Sequence, residues 1–342
     1  MEEVAQQLVI RPPLDVGQKF ATGMILGKFM PPHRGHQRLI DFARQRVGHL
    51  TILVCSLERE PIPGRLRVEW MKEMYPDAYV IHITDDNPSE PHEHPRFWEI
   101  WTETVRRRLP TGPDVIFTSE TYGDELAHRL GAQHIAVDPL RQQVPVSATA
   151  IRSDPFANWS FIPECVRPYF VRRVAIVGPE STGKTTLARQ LAAHYQTAWV
   201  PEFAREYLDA KNAEQPLADL APADIAEIAR GQIASEEQLA RQANRLLICD
   251  TELLTTRLWS EHFFGACEDW IQRAAIERRC DLYLLLAADV AWVADPHRAA
   301  PHLREQFFDR LRDELQFHGR RFAIISGPFD QRLQQAIEAI EG

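Results

Sequence analysis

Eight residues, Gly178-Pro179-Glu180-Ser181-Thr182-Gly183-Lys184-Thr185, carry glycines and a lysine at the spacing of a phosphate-binding loop. The glycines let the backbone curl its N–H groups toward phosphate oxygens, and a following helix adds partial positive charge. Lys184 can reach β and γ phosphates, Thr185 can ligate Mg²⁺, and Thr186 extends the loop into its helix. Phosphoryl transfer also calls for a carboxylate on a neighbouring strand, and Leu246–Asp250 provides Asp250 as a second candidate for Mg²⁺. The acceptor needs orienting groups. Glu202, Arg205 and Glu206 stand at i, i+3 and i+4, the spacing of one helix face. Farther on, Asp289–Arg298 ends in an arginine, Arg298, that a closing lid would bring to the moving phosphate.

A second constellation lies upstream. A strand ending at Gly27 runs into Lys28-Phe29-Met30-Pro31-Pro32-His33-Arg34-Gly35-His36. Paired histidines at a helix start can neutralise a triphosphate, and Gly35 would let the backbone approach the nucleotide closely. Ser147 and Thr149 are candidate N-caps of a later helix, and Arg152 sits one turn into it, facing the same end.

Both constellations need rigid elements behind them. Met24–Gly27, Leu50–Cys55, Tyr79–Ile83, Asp114–Thr118 and His134–Val137 read as strands, separated by stretches of helical spacing. The pattern restarts at Arg172–Val177 and continues through Lys184–Tyr195, Ala198–Pro201, Arg245–Asp250, Leu282–Leu286 and Phe322–Ser326. Strand–helix alternation predicts an α/β protein with parallel sheets. The expected organisation is a tail over 1–22, one α/β domain over 23–168 and a second over 169–342.

The chain has 342 residues, a size for about two domains. Its net charge of −9 argues against a protein that coats nucleic acid, so bound anions would need locally positive sites. No apolar run approaches the roughly 18 residues of a membrane span. Five cysteines without a C-x-x-C pair read as reduced thiols in a cytoplasmic protein. His82, His92 and His94 read as solvated loop residues and not as metal ligands. Only five lysines occur, and Lys28 and Lys184 fall in the two phosphate loops.

The H-x-G-H of His33–His36 and the S-x-T-x-x-R of Ser147–Arg152 are the two signatures of the nucleotidylyltransferase superfamily. Followed by a phosphate-loop kinase domain, they make the chain resemble the bifunctional nicotinamide-nucleotide adenylyltransferase / ribosylnicotinamide kinase (NadR-type) family over roughly residues 23–340. Trp98-x-x-Trp101, Ser119-x-x-Tyr122-Gly123, Glu202-x-x-Arg205-Glu206-Tyr207 and Asp289-Val-x-Trp292-Val belong to the same resemblance. It implies a Rossmann-like transferase domain and a phosphate-loop kinase domain. The kinase domain would phosphorylate nicotinamide riboside to the mononucleotide (NMN). The transferase domain would join NMN to the AMP part of ATP, giving NAD and pyrophosphate.

By this resemblance Gly27, Lys28, Phe29, His33, Gly35, His36, Ser147, Thr149 and Arg152 serve ATP in the transferase domain, with Trp98 or Trp101 stacked on the NMN ring. Gly178, Glu180–Thr186 and Arg298 serve ATP in the kinase domain, and Thr185 and Asp250 serve Mg²⁺. Glu202, Arg205 and Trp292 would hold the riboside. Ala148 departs from the usual glycine, serine or threonine inside the second signature, at a position that contributes its backbone. Pro296 replaces the usual lid glycine, which stiffens that segment. Some family members carry an N-terminal helix-turn-helix domain. Here the first strand is expected near residue 23, so DNA binding and a regulatory role are not expected. A homo-oligomer is compatible with the sequence. Two alternatives remain open at this level: a nucleotide-sensing regulator with decayed catalysis, and a related kinase/adenylyltransferase fusion with another substrate.

Overall fold

Runs such as Ile52-Leu53-Val54 are apolar on both faces, as strands must be when helices cover a sheet on two sides. In the computed structural model, which describes residues 19–120, 122–212, 217, 219–294 and 301–342, the strands of each sheet are all parallel. The chain divides into two compact units, Met1–Pro163 and Glu164–Gly342. The division falls slightly ahead of the residue-168 join expected from the sequence.

The first unit runs β1 (Phe20–Gly27), α1 (Arg34–Arg44), β2 (Val47–Cys55), α2 (Gly64–Met74), β3 (Tyr79–Ile83), α3 (Phe97–Arg108), β4 (Val115–Thr118), α4 (Gly123–Leu130), β5 (Gln133–Ala136) and α5 (Ala148–Ser153). Its sheet, among the described residues, has the order β3-β2-β1-β4-β5. Ile25, Ile52 and Phe117 pack on one face, and Met24, Leu53 and Ile116 on the other. The strand order reverses direction beside β1, and such switch points open a crevice at the carboxyl ends of the strands. One correction concerns the tail. Phe20, Ala21 and Thr22 belong to β1, because they pair in parallel with the start of β2 (Phe20 with Val47, Thr22 with His49), and the Asp114 side chain, just before β4, accepts from Thr22 N (2.7 Å).

The second unit runs α6 (Arg167–Phe170), β6 (Arg172–Val177), α7 (Lys184–Tyr195), β7 (Trp199–Val200), α8 (Phe203–Asn212), α9 (Pro222–Ala240), β8 (Leu246–Asp250), α10 (Leu253–Phe264), α11 (Asp269–Glu277), β9 (Leu282–Leu286), α12 (Arg304–Phe317), β10 (Phe322–Ile325) and α13 (Phe329–Glu341). Its sheet order is β10-β9-β6-β8-β7, again with the switch beside the first strand. Val174, Ile176 and Ile248 face one core, and Ala175, Val177 and Tyr283 the other. Among the described residues no helix is long and apolar enough to cross a membrane.

Candidate functional site

In the first unit the carboxyl ends of β1, β2 and β4 open into a cavity of about 820 Å³. Gly27, Lys28, Phe29, His33, Gly35, His36, Trp98, Trp101, Thr149 and Arg152 all line it. Ser147 does not. Its hydroxyl accepts from Ala150 N (3.1 Å) and caps α5.

His33 is the N-cap of α1, its Nδ1 accepting from Gly35 N (3.1 Å) and His36 N (3.4 Å). His36 Nδ1 accepts in return from His33 N (3.3 Å). The two rings stack with centroids 3.7 Å apart. Burial, and then the charge of Arg141, lower the His33 pKa to about 4. Burial, then His33 and Arg141, hold His36 well below its ordinary value. Both imidazoles are therefore neutral at pH 7. With Nδ1 accepting, the proton sits on Nε2, so the pair meets a phosphate as neutral N–H donors. Gly35 has a second reason to be glycine: a Cβ there would stand 2.9 Å from His33 Cε1.

Lys28, Arg152 and Arg141 of the cavity wall are each tied down. Lys28 Nζ lies 3.2 Å from Glu60 Oε1 and donates to Ser89 Oγ (3.2 Å). Arg67, fully buried, donates to Lys28 O (2.9 Å), Cys55 O (3.2 Å) and Glu60 Oε2 (2.6 Å). Burial raises the Glu60 carboxyl, but bonds from Arg67, Leu57 N and Lys28 outweigh it and leave the pKa lowered. Arg152 donates to Met30 O and to Thr149 Oγ1, so α5 holds the loop after β1. Arg141, which the sequence did not single out, also lines the cavity and pairs with Glu120 (2.9 Å). Asp138 folds its loop by accepting from Gln142 N and Gln143 N. Trp101 donates its indole N–H to Pro88 O (2.9 Å), and the Arg129 guanidinium lies 5.9 Å from the Trp98 ring.

In the second unit a smaller cavity of about 190 Å³ opens beside the loop between β6 and α7. Gly178, Glu180–Thr186, Glu202 and Arg205 line it. Gly178 (φ 147°) and Gly183 (φ 86°) adopt backbone conformations that L side chains rarely take. A Cβ on Gly178 would also press on Leu286 O (2.8 Å), and one on Gly183 would collide with the Phe329 ring. Lys184 Nζ rests on Gly178 O (3.1 Å) and Pro179 O (2.9 Å). Thr185 Oγ1 donates to Asp250 Oδ2 (2.6 Å). Asp250 is buried behind the loop, outside the cavity wall, and its Oδ1 has no partner. Burial, then the charge of Glu202, push its pKa up to about 6 against Thr185, Lys184 and Arg205.

Two placements differ from the expectation. Glu202 precedes α8 and lines the cavity with Arg205, whereas Glu206 is exposed, so the three do not act together. Trp292 is not in the cavity wall; its ring lies 5.9 Å from the Arg304 guanidinium. The aromatic wall is instead Trp259 and Phe263 of α10, joined there by Thr251 and Thr255. The four-residue spacing of Thr255, Trp259 and Phe263 is a signal the sequence does carry. Arg298 lies outside the described residues. Nothing local marks Arg332 of α13, which is buried and donates to Thr182 O (3.0 Å), Gly327 O (2.7 Å) and Asp289.

A family profile described as an AAA domain matches residues 173–332. The Trifunctional NAD biosynthesis/regulator protein NadR of Escherichia coli (strain K12) is 30% identical over 344 residues, 94% of this chain and 83% of that protein. The Nicotinamide-nucleotide adenylyltransferase of Thermococcus onnurineus (strain NA1) is 26% identical over 141 residues, 38% of this chain and 70% of that protein. A crystal structure of NadR protein in complex with NR shares the fold at a TM-score of 0.78 and 23% identity, over 95% of this chain and 96% of that one. The length and identity of the match to the Escherichia coli protein settle the family: this chain belongs to the NadR family.

Proposed function

We propose that the two cavities carry out consecutive steps of NAD salvage. The second unit phosphorylates nicotinamide riboside to NMN with ATP. The first joins NMN to the AMP part of ATP, giving NAD and pyrophosphate. The observation that carries this reading is that one NadR-family chain holds two cavities, one lined by the paired histidines at the start of α1 and one by the glycine-rich loop before α7, each with aromatic side chains in the same wall.

In the first unit the His33 and His36 Nε2–H groups, Lys28 and Arg152 receive the ATP triphosphate at the start of α1. Triphosphate oxygens compete with Glu60 and Ser89 for Lys28. Trp98 and Trp101 offer faces to the cationic nicotinamide ring of NMN. The NMN phosphate attacks the α-phosphorus directly and pyrophosphate leaves. The protein supplies position and charge neutralisation without a covalent intermediate.

In the second unit Lys184 exchanges its two carbonyl partners for β and γ phosphate oxygens. Glu202 and Arg205 hold the riboside. Mg²⁺ fits the residues present. The unpartnered, buried Asp250 Oδ1 beside Thr185 is the oxygen a hard cation would take, and it would draw Asp250 back to its ionised form. Bound there with ATP, the ion supplies neutralisation of the β and γ phosphates. A cytoplasmic location is part of this reading; Cys55, Cys165, Cys249, Cys267 and Cys280 form no disulfide with one another.

The test is direct. The purified chain, given ATP, Mg²⁺ and nicotinamide riboside, should form NMN and then NAD. Formation of neither product refutes the reading.

A further inference from the structure

The wall of the second cavity includes two threonines, Thr251 and Thr255, that nothing in the phosphate chemistry uses. Thr251 and Thr255 are 5% and 2% exposed, and their Oγ1 atoms lack any hydrogen-bond partner. Buried polar atoms without partners weaken a fold, and native structures keep few of them. Thr251 is held at φ 77°, a backbone conformation costly for a β-branched residue. Its position is nevertheless fixed, since Thr251 N donates to Ile176 O (3.0 Å) of β6 directly after Asp250. Glu252 fixes Thr255 in turn by capping α10, its Oε1 accepting from Thr255 N (3.1 Å). Strain and unmet hydrogen bonding thus meet in two residues that line the same cavity as the phosphate loop and the aromatic pair.

We propose that Thr251 and Thr255 are the specificity-determining residues of the kinase site, holding the ribose hydroxyls and selecting ribosides over deoxyribosides. This deepens, and rests on, the reading of the second unit as a riboside kinase. Thr255, Trp259 and Phe263 share one face of α10, and each four-residue step advances about 6 Å along the helix. Thr255 stands at the start of that face, close in sequence to Asp250, and the aromatic side chains follow. Trp259 and Phe263 stack with ring centroids 5.4 Å apart. A nucleoside presenting its 5′-hydroxyl to the γ phosphate has its sugar next and its base beyond. That order matches two hydroxyls followed by two aromatic side chains. A sugar diol supplies two adjacent donors and acceptors, the complement of two unpaired hydroxyls.

The test compares kcat/KM of wild type, Thr251→Val and Thr255→Val on nicotinamide riboside and its 2′-deoxy and 3′-deoxy analogues, with thermal unfolding of each protein. Wild type should prefer the riboside over at least one deoxy analogue by roughly 10- to 100-fold. Each valine variant should lose about that factor on the riboside, lose nothing further on the analogue lacking the hydroxyl it held, and melt no lower than wild type. Thr255→Ser should keep the discrimination even if the valine variants fold poorly. Equal rates of wild type and variants on all three substrates, or a uniform loss on all three, overturns the proposal. A wild type that phosphorylates none of the three refutes the kinase reading itself along with it.

Discussion

Thr185 donates its hydroxyl proton to Asp250 across 2.6 Å, joining the first turn of α7 to the last residue of β8. The bond occupies one carboxylate oxygen and leaves the other buried without a partner. Asp250→Asn keeps the shape and removes the charge. It should lower riboside phosphorylation by roughly 100-fold or more while leaving NAD formation from NMN unchanged. Separate rate measurements for the two half-reactions check this.

The raised pKa of Asp250, about 6, gives the kinase step a pH dependence. The ionised form is the one that binds a cation, so at low Mg²⁺ kinase activity should rise as pH passes upward through about 6. Stability moves the other way. Glu252 is pushed to about 7, chiefly by burial. Carboxyls raised in the folded state stabilise it at low pH, and that contribution is lost as pH rises from the ordinary carboxyl range and is gone above about 6 to 7. Thermal unfolding should show the loss, and Asp250→Asn should diminish it.

His33, with a pKa of about 4, is neutral in the free protein. NMR titration of its ring should give a midpoint well below that of an exposed histidine, moving up when ATP brings negative charge to α1. An unchanged midpoint on saturation with ATP contradicts the triphosphate assignment. Gly35→Ala would push on the His33 ring and should impair the transferase step while sparing the kinase step.

Trp98→Ala or Trp101→Ala should raise KM for NMN by roughly 5- to 30-fold with little change in KM for ATP, the loss expected for a cation removed from a partly desolvated indole. Trp101 anchors Pro88 as well, so its replacement should also lower the melting temperature, whereas Trp98→Ala should act more on binding. Steady-state kinetics with each substrate varied separates the two.

Much of this arrangement is legible in the chain because it is local. The expected strands Tyr79–Ile83, Arg172–Val177 and Leu282–Leu286 match β3, β6 and β9 residue for residue, each being a short apolar run bounded by polar or turn residues. The phosphate loop and the histidine pair are contiguous motifs. What escaped was assembled from afar. Arg332 secures the loop carbonyl of Thr182 across 150 positions of sequence, and Arg67 secures Lys28 across 39. Neither partner leaves a local trace. Trp292 sits in a family-like motif but outside the wall of this cavity, whereas Trp259, whose signal is a helical spacing shared with Thr255 and Phe263, lies in it. The first residues of β1 were missed because Ala21, Thr22 and Gly23 look like loop, and only their pairing with β2, farther along the chain at Val47–Leu50, makes them sheet.

The division of labour between the two units can be read in one experiment: NMN and NAD formed from nicotinamide riboside by wild type, Lys184→Ala, His36→Ala and an equal mixture of the two variants. Lys184→Ala should form NAD from supplied NMN but neither product from the riboside. His36→Ala should convert the riboside to NMN and stop there. The mixture should recover NAD formation. Loss of both steps in either folded variant, or NAD formation from the riboside by Lys184→Ala alone, contradicts the assignment of one step to each unit.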